Sequence, residues 1–261
     1  MIEQLKAVVF YVDGTLDKTE INGHRIAFNH AFSVAGLNWF WDETSYGELL
    51  AVTGGKERIA YYLSAFHTGS KHDSDLALLI RTLYAAKAQF YVALLASKDI
   101  VLSLGIARLI KAIRQAGLRM AIATVTTPEN VTALIHNTLG EVAVDWFDCI
   151  TAGDIVSVKK PAPDIFNYCL AEMGLSAAEC LVIEGSENGL KTALAAGGRR
   201  LSRLYSYTQG DDFAGAILVL DHLGDEALAG YKGLACQVLA GPPIKCNIVT
   251  VADLKAFHAR P

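Results

Sequence analysis

The chain is 261 residues long, 52% hydrophobic and 19% charged, with only 6 Pro and 22 Gly. That composition excludes intrinsic disorder and collagen-like repeats, and the length suits one large domain or a main domain carrying a smaller one. With 23 Lys and Arg against 27 Asp and Glu the formal charge is -4, and no basic cluster exceeds two residues, so neither nucleic acid nor a membrane surface is an expected partner.

In chain order, the first apolar run is Ala7 to Val12. It is too short for a signal-peptide core, is followed by turn residues, and reads as a strand. Further strands are expected at Arg119 to Thr124, Cys149 to Thr151, Leu181 to Glu184, Arg200 to Leu204 and Ile217 to Leu220. Helical spacing is found between them at Gly105 to Ala116, Pro128 to Leu139, Pro163 to Glu172 and Asn188 to Ala196. Alternation of this kind predicts an α/β fold, a doubly wound parallel sheet covered by helices on both faces.

The first two strands are about a hundred residues apart, too far for a single crossover helix. The intervening residues read as an inserted helical cap, with helices at His24 to Ala35, Ser45 to Ala51, Lys56 to His67 and Asp73 to Ala96. Expected boundaries are 1–18 and 98–261 for the core and 19–97 for the cap. Arg81, Lys87 and Gln89 interrupt the last of these helices, which therefore reads as amphipathic and not as a membrane span. After Asp221 the chain is expected to form an extension on the core edge, with a strand at Cys246 to Val251 followed by Ala252 to His258.

The five cysteines, Cys149, Cys169, Cys180, Cys236 and Cys246, are scattered and form no C-x-x-C pair. A zinc site and a disulfide framework are not expected, and a reducing compartment is: the cytoplasm, or the plastid stroma if the source is eukaryotic.

Chemistry concentrates where the first strand ends, at Phe10-Tyr11-Val12-Asp13-Gly14-Thr15-Leu16, because open α/β sheets bind ligands at the carboxyl ends of their strands. In the helical stretch, Lys56 and Arg58 follow Gly54 and Gly55 at what reads as a helix start, where free N–H groups favour an anion. Trp39, Trp41 and the Tyr61-Tyr62 pair read as packing within the cap, and Lys159 as solvated.

Four stations resemble the haloacid dehalogenase superfamily. Asp13-Gly14-Thr15-Leu16 matches the second half of its D-x-D-G-T-L motif, Thr124 ends the second strand, and Lys160 precedes Pro161. Glu184-Gly185-Ser186-Glu187-Asn188-Gly189 stands where the family shows E-D-S-x-N-G. A closer resemblance is to CbbY-type enzymes, which remove phosphate from xylulose bisphosphate. It rests on His24-Arg25, Ala27-Phe28-Asn29, Trp39-Phe40-Trp41-Asp42, Thr53 to Ile59 and Tyr207-Thr208.

The resemblance implies a phosphosugar ligand, an aspartyl nucleophile two residues before Asp13, and Mg2+ bound between carboxylates that include Glu184. It gives Asp13 the acid/base role and a backbone carbonyl on the metal, while Thr124 and Lys160 take the transferring phosphate. Glu20, His24, Arg25, Gly54, Gly55, Lys56, Arg58 and Asn188 are implied to hold the rest of the substrate.

This sequence departs from the pattern at two stations, with Tyr11 in the nucleophile position and Gly185 where a metal-binding Asp is expected. A phenol with pKa about 10 carries no charge near neutrality, and glycine offers no ligand. The departures imply a catalytically degenerate phosphosugar phosphatase scaffold with weak or absent Mg2+ binding. The alternatives are an active Mg2+-dependent sugar (bis)phosphate phosphatase and a non-catalytic assembly subunit. Restoring Asp at both positions is expected to recover activity unless drift at Asp17-Lys18 runs deeper.

Overall fold

The computed structural model describes residues 4–16, 19–66, 73–97, 101–203, 206–208, 210–225, 237–244 and 248–260. Asp17-Lys18 and the expected junctions at 18/19 and 97/98 fall on or beside undescribed residues, as do Cys236 and Cys246.

Seven strands form one sheet: β1 (Ala7–Phe10), β2 (Arg119–Ala123), β3 (Cys149–Thr151), β4 (Cys180–Glu184), β5 (Arg199–Arg203), β6 (Leu218–Leu220) and β7 (Val238–Ala240). Their order is β3-β2-β1-β4-β5-β6-β7. All neighbouring pairs are parallel except β6 with β7. The chain winds outward from β1 through β2 to β3, then returns to place β4 on β1's other side. Between β1 and β4 lies the switch point that leaves a crevice beyond the strand ends.

Alternate residues face opposite sides of the sheet, and both sides are covered. Val8, Phe10, Met120, Ile122, Leu181 and Ile183 join one apolar cluster. Ala7, Val9, Ala121, Ala123, Cys180 and Val182 join the other. The first face packs on helices α5 (Ile106–Gln115), α6 (Pro128–Leu139) and α9 (Val251–His258), and the second on α7 (Asp164–Met173) and α8 (Glu187–Ala195).

Between β1 and β2 come a π-helical turn at Glu20–His24 and helices α1 (Arg25–Val34), α2 (Glu43–Leu49), α3 (Gly55–Phe66) and α4 (Asp73–Ala96). They enclose their own cluster of Phe28, Phe32, Trp41, Tyr46, Leu49, Ile59, Leu63 and Leu83. Asn29 brackets the Trp41 backbone, donating to its carbonyl and accepting from its N–H at 2.8 Å each. Asp42 caps α2 by accepting from the Ser45 N–H at 2.8 Å. The Ala27-Phe28-Asn29 and Trp39 to Asp42 motifs are thus packing and capping devices. Tyr62 packs on Trp39 and Trp41 as expected, whereas Tyr61 is 49% exposed.

Helix α4 is long and apolar enough to satisfy a membrane-span criterion by composition. Here it buries Leu83, Tyr91 and Leu95. Arg81 and Gln89 face solvent, but Lys87 is buried, contrary to the polar face expected of it.

The tail corrects a second expectation. Residues 248–250 are not a strand, and helix α9 begins at Val251 on a capping box formed by Thr250 and Asp253. Val249 is buried in the core instead of pairing in the sheet. The tail's strand is β7, an unexpected three-residue edge followed by Gly241 at φ 105°. As expected, the extension is packed on the core. Arg108 donates to the carbonyls of Leu223, Gly224 and Val249, and a 2.7 Å hydrogen bond joins His258 Nε2 to Ala178 O.

Candidate active site

At the end of β1 the Tyr11 N–H donates to the Ile183 carbonyl at 3.1 Å, and the chain then turns, with the Thr15 and Leu16 N–H groups both donating to Val12 O. The turn places the Tyr11 and Asp13 side chains above the sheet beside Glu184, the last residue of β4. Helices α1 to α4 close over them. The cavity between has a volume of about 420 Å³ and is lined from the core by Tyr11, Asp13 and Lys160, and from the helical side by Glu20, His24 and Lys87.

One wall is a chain of polar groups. Glu20 and His24 lie four residues apart in the π-helical turn, a local widening often found at functional sites. A 2.6 Å bond joins His24 Nε2 to Asp13 Oδ1, and a 2.7 Å bond joins Lys87 Nζ to His24 Nδ1. A Lys87 ammonium donating to Nδ1 leaves Nε2 to carry a ring proton toward Asp13.

The His24 ring stacks on Tyr91 at 4.0 Å. Lys87 Nζ lies 5.1 Å from the ring centres of both Phe28 and Tyr91. Burial drives the Lys87 pKa down to about 8 against the pull of Asp13 and Glu20. Burial alone would raise the Asp13 carboxyl, but His24, Lys87 and Arg58 together hold it below its usual value. Asp13 is therefore ionised at neutral pH.

Beside this chain Tyr46 donates to Glu20 Oε2 at 2.6 Å and accepts from Arg58 Nη1 at 2.9 Å. Arg58 also donates from Nε to Leu49 O at 3.1 Å and from Nη2 to Val52 O at 3.3 Å. It lines the cavity while bracing the end of α2.

The opposite corner is a closed knot. Lys160 Nζ donates to Glu184 Oε1 and lies 3.0 Å from the centre of the Tyr11 ring. The side chains of Lys160 and Glu184 are 1% and 0% exposed. Glu184 Oε2 accepts from the Gly185 N–H at 2.7 Å, the Ser186 N–H at 3.2 Å and the Ser186 hydroxyl at 3.3 Å. The Tyr11 pKa is raised well above its ordinary value by burial and by Asp13 and Glu184. Lys160 is pushed below the ordinary lysine value by burial, with Glu184 opposing.

Two glycines make the knot possible. A Cβ on Gly189 would fall 1.8 Å from the Glu184 carboxyl carbon, and one on Gly185 would fall 2.6 Å from the Gly14 carbonyl oxygen.

At the rim, Lys56 bonds Asp154 Oδ2 at 2.6 Å and so ties α3 to the core. Lys159 bonds Asp154 Oδ1 at 2.7 Å and Gly153 O at 3.0 Å. Its side chain is 12% exposed, so the expectation of a solvated Lys159 is corrected. Asn188 reaches across to Ala51 O at 3.2 Å and Thr53 Oγ1 at 3.3 Å. Gly54 and Gly55 line the cavity. Arg25 pairs loosely with Glu43 at 3.5 Å, outside the lining. Thr124 is fully buried and accepts from the Thr126 N–H at 3.3 Å, while Val125 and Thr126 form the wall at that station.

The donor set does not fit a magnesium ion, which wants oxygen ligands in octahedral array. Both oxygens of Glu184 are engaged, Gly185 has no side chain and no space for one, and Tyr11 is a neutral phenol. Among the described residues no three His, Cys, Asp or Glu side chains converge on a common point.

Sequence reasoning missed Lys87, Tyr46 and Asp154. Lys87 lies on a helix whose charges read as a solvent face, and only its buried neighbours Leu83 and Tyr91, four residues either side, hint at the true orientation.

A haloacid dehalogenase-like hydrolase family model matches residues 5–197. The CbbY protein of Rhodobacter capsulatus is 46% identical over 213 residues, 82% of this chain and 91% of that one. Among solved structures, CbbY from Rhodobacter sphaeroides in complex with phosphate is 43% identical, with a TM-score of 0.77 over 84% of this chain and 94% of that one. A mutant of the same protein in complex with xylulose-(1,5)bisphosphate superposes with a TM-score of 0.78, at the same identity and coverage. The chain belongs to the haloacid dehalogenase-like hydrolases and stands within them beside the CbbY proteins.

Proposed function

We propose that this chain is a CbbY-like phosphosugar-binding scaffold, a core of 1–18 and 98–261 under a cap of 19–97, in which phosphatase turnover is weak or absent. The observation that carries the reading is Tyr11, a buried neutral phenol whose ring lies under the Lys160 ammonium where a phosphoryl acceptor must stand. In-line phosphoryl transfer needs an anionic oxygen at that point.

The ligand class is taken from the relatives, one of which is described with phosphate and with xylulose-(1,5)bisphosphate. The phosphate groups would meet Lys160, Lys87 and Arg58 on the cavity wall, with Lys56 at the rim. Glu20, His24 and Asn188 supply hydrogen-bonding groups for sugar hydroxyls. The same reading assigns a reducing compartment, the cytoplasm or a plastid stroma, suited to the free thiols of Cys149, Cys169 and Cys180.

A second reading, an active Mg2+-dependent sugar (bis)phosphate phosphatase, draws on the Asp13–His24–Lys87 chain, which is arranged as a working acid/base would be. Phosphate release from xylulose bisphosphate by sequence-verified protein with Mg2+ separates the two. The scaffold reading expects release at the no-protein rate together with calorimetric binding. Brisk release abolished by chelator overturns it in favour of the second reading.

A further inference from the structure

A phosphate ester enters a pocket only where positive charge awaits it. In this family that charge is expected from a divalent ion held by carboxylates, yet the described residues of this cavity offer no such cage. What it offers between stations 11 and 184 is an ammonium. Lys160 Nζ touches both, lying over the Tyr11 ring at 3.0 Å and bonded to Glu184 Oε1, and it still lines the cavity.

We propose that this pocket takes phosphate esters without a divalent metal, the Lys160 ammonium lodged between Tyr11 and Glu184 serving as its innermost cation. The inference rests on the phosphosugar-binding reading above and deepens it.

Three observations converge on it. Glu184 has no free oxygen for a second cation, because Oε1 is taken by Lys160 and Oε2 by two backbone N–H groups and the Ser186 hydroxyl. The space at 185 is closed, since the Gly14 carbonyl oxygen stands 2.6 Å from where a Cβ would be.

The charge also balances. Two carboxylates with a dication sum to zero, and so do a neutral phenol and a glycine with no ion. The two departures at Tyr11 and Gly185 thus leave the summed formal charge of the site unchanged, and one departure alone would not. Of the other acids lining the cavity, Asp13 is engaged by His24, Glu20 by Tyr46, Glu187 by Lys191 and Asp211 by the Glu187 N–H, while Glu48 is exposed at the mouth.

Calorimetry tests this with two probes, inorganic phosphate and xylulose 1,5-bisphosphate, each titrated into protein with EDTA and into protein with excess MgCl2. The dissociation constants are expected to agree within about twofold, a few tenths of a kcal/mol. MgCl2 alone is expected to give neither heat nor a thermal shift.

Binding that appears only with Mg2+, or that Mg2+ strengthens more than about tenfold, overturns the proposal while leaving the phosphosugar reading intact. No binding of either probe under either condition overturns that reading and the proposal with it. A Lys160→Met/Glu184→Gln double variant removes the ammonium without stranding its partner. If it melts as a folded protein, phosphate affinity in EDTA should fall at least about tenfold, and unchanged affinity overturns the proposal. If it does not fold, the EDTA and MgCl2 comparison on the unmodified chain decides alone.

Discussion

The two sides of the cavity contrast sharply. Reaching from the end of β1 into the helical side, Asp13, His24 and Lys87 form an open chain of proton-carrying groups. On the sheet side Tyr11, Lys160 and Glu184 form a knot in which both Glu184 oxygens are taken and the Lys160 ammonium bridges that carboxylate and the Tyr11 ring. One side is poised to exchange protons and the other offers no free carboxylate oxygen to a new cation. The two departures from the family pattern, at Tyr11 and Gly185, both fall on the sheet side of the cavity.

Breaking the knot should have the largest effect. Glu184→Ala leaves a buried ammonium uncompensated and strips the Gly185 and Ser186 N–H groups of their acceptor. Removing one partner of a buried pair costs about 3–5 kcal/mol. Urea denaturation of the variant against the unmodified chain measures it, and a loss under about 1 kcal/mol would mean that the knot is not closed.

The open chain should declare itself through pH. Lys87 titrates near 8 in the fold against an ordinary 10.5, so between those values the unfolded chain binds more protons and stability rises with pH. The slope from this group approaches about 1.4 kcal/mol per pH unit in mid-window, on the order of 3 kcal/mol in all. Below pH 8 the contribution is constant. Denaturation between pH 8 and 10.5 should therefore show stability rising through this window in the unmodified chain, with a flatter profile for Lys87→Met. Equal slopes would place Lys87 outside the buried site.

Much of this was legible from residue order alone, and the failures have physical causes. The alternation of β-branched runs with helical spacing fixes the sheet because a strand buried on both faces has little freedom of composition. Asp13 and Glu184 are legible because they stand at or just beyond strand ends, where chain direction and site coincide, whereas Lys160, in the loop before α7, is marked only by its match to the family motif. Lys87 is not, because the partners that bury it are distant in sequence: His24 is 63 residues away, with Phe28, Tyr84 and Tyr91 around it; Lys159 is held by a local loop turn onto Gly153 and Asp154 that has no periodic signature. The three residues of β7 fall below any periodicity. The tail helix did carry a signal, Thr250-x-x-Asp253, which the apolar run Cys246 to Val251 obscured.

A smaller perturbation tests whether the sheet side can be reopened. Gly185→Ala puts a Cβ 2.6 Å from a backbone oxygen, and overpacking of that kind costs about 1–3 kcal/mol. Gly185→Asp meets the same contact, so restoring Asp at 11 and 185 together requires the Gly14 turn to withdraw. The expectation that the double restoration suffices is accordingly revised: the restored chain should melt lower than Tyr11→Asp alone and bind Mg2+ poorly. A double variant that is as stable as the single one and active with Mg2+ would show that the turn yields freely.

The smallest effect on stability is expected at the rim. Lys56 and Asp154 are 39% and 57% exposed, so their bond contributes at most about 1 kcal/mol, and Lys56→Ala should lower the melting temperature by no more than about 2–4 °C. Lys159 shares the same carboxylate and keeps it neutralised when Lys56 leaves. Lys56 can therefore trade Asp154 for a ligand phosphate without stranding a charge. Phosphosugar affinity should consequently fall several-fold in Lys56→Ala while affinity for inorganic phosphate, held deeper by Lys160, stays level. An equal loss for both probes would assign Lys56 to the inner site, and no loss for either would leave its bond to Asp154 as a tether between the helices and the core.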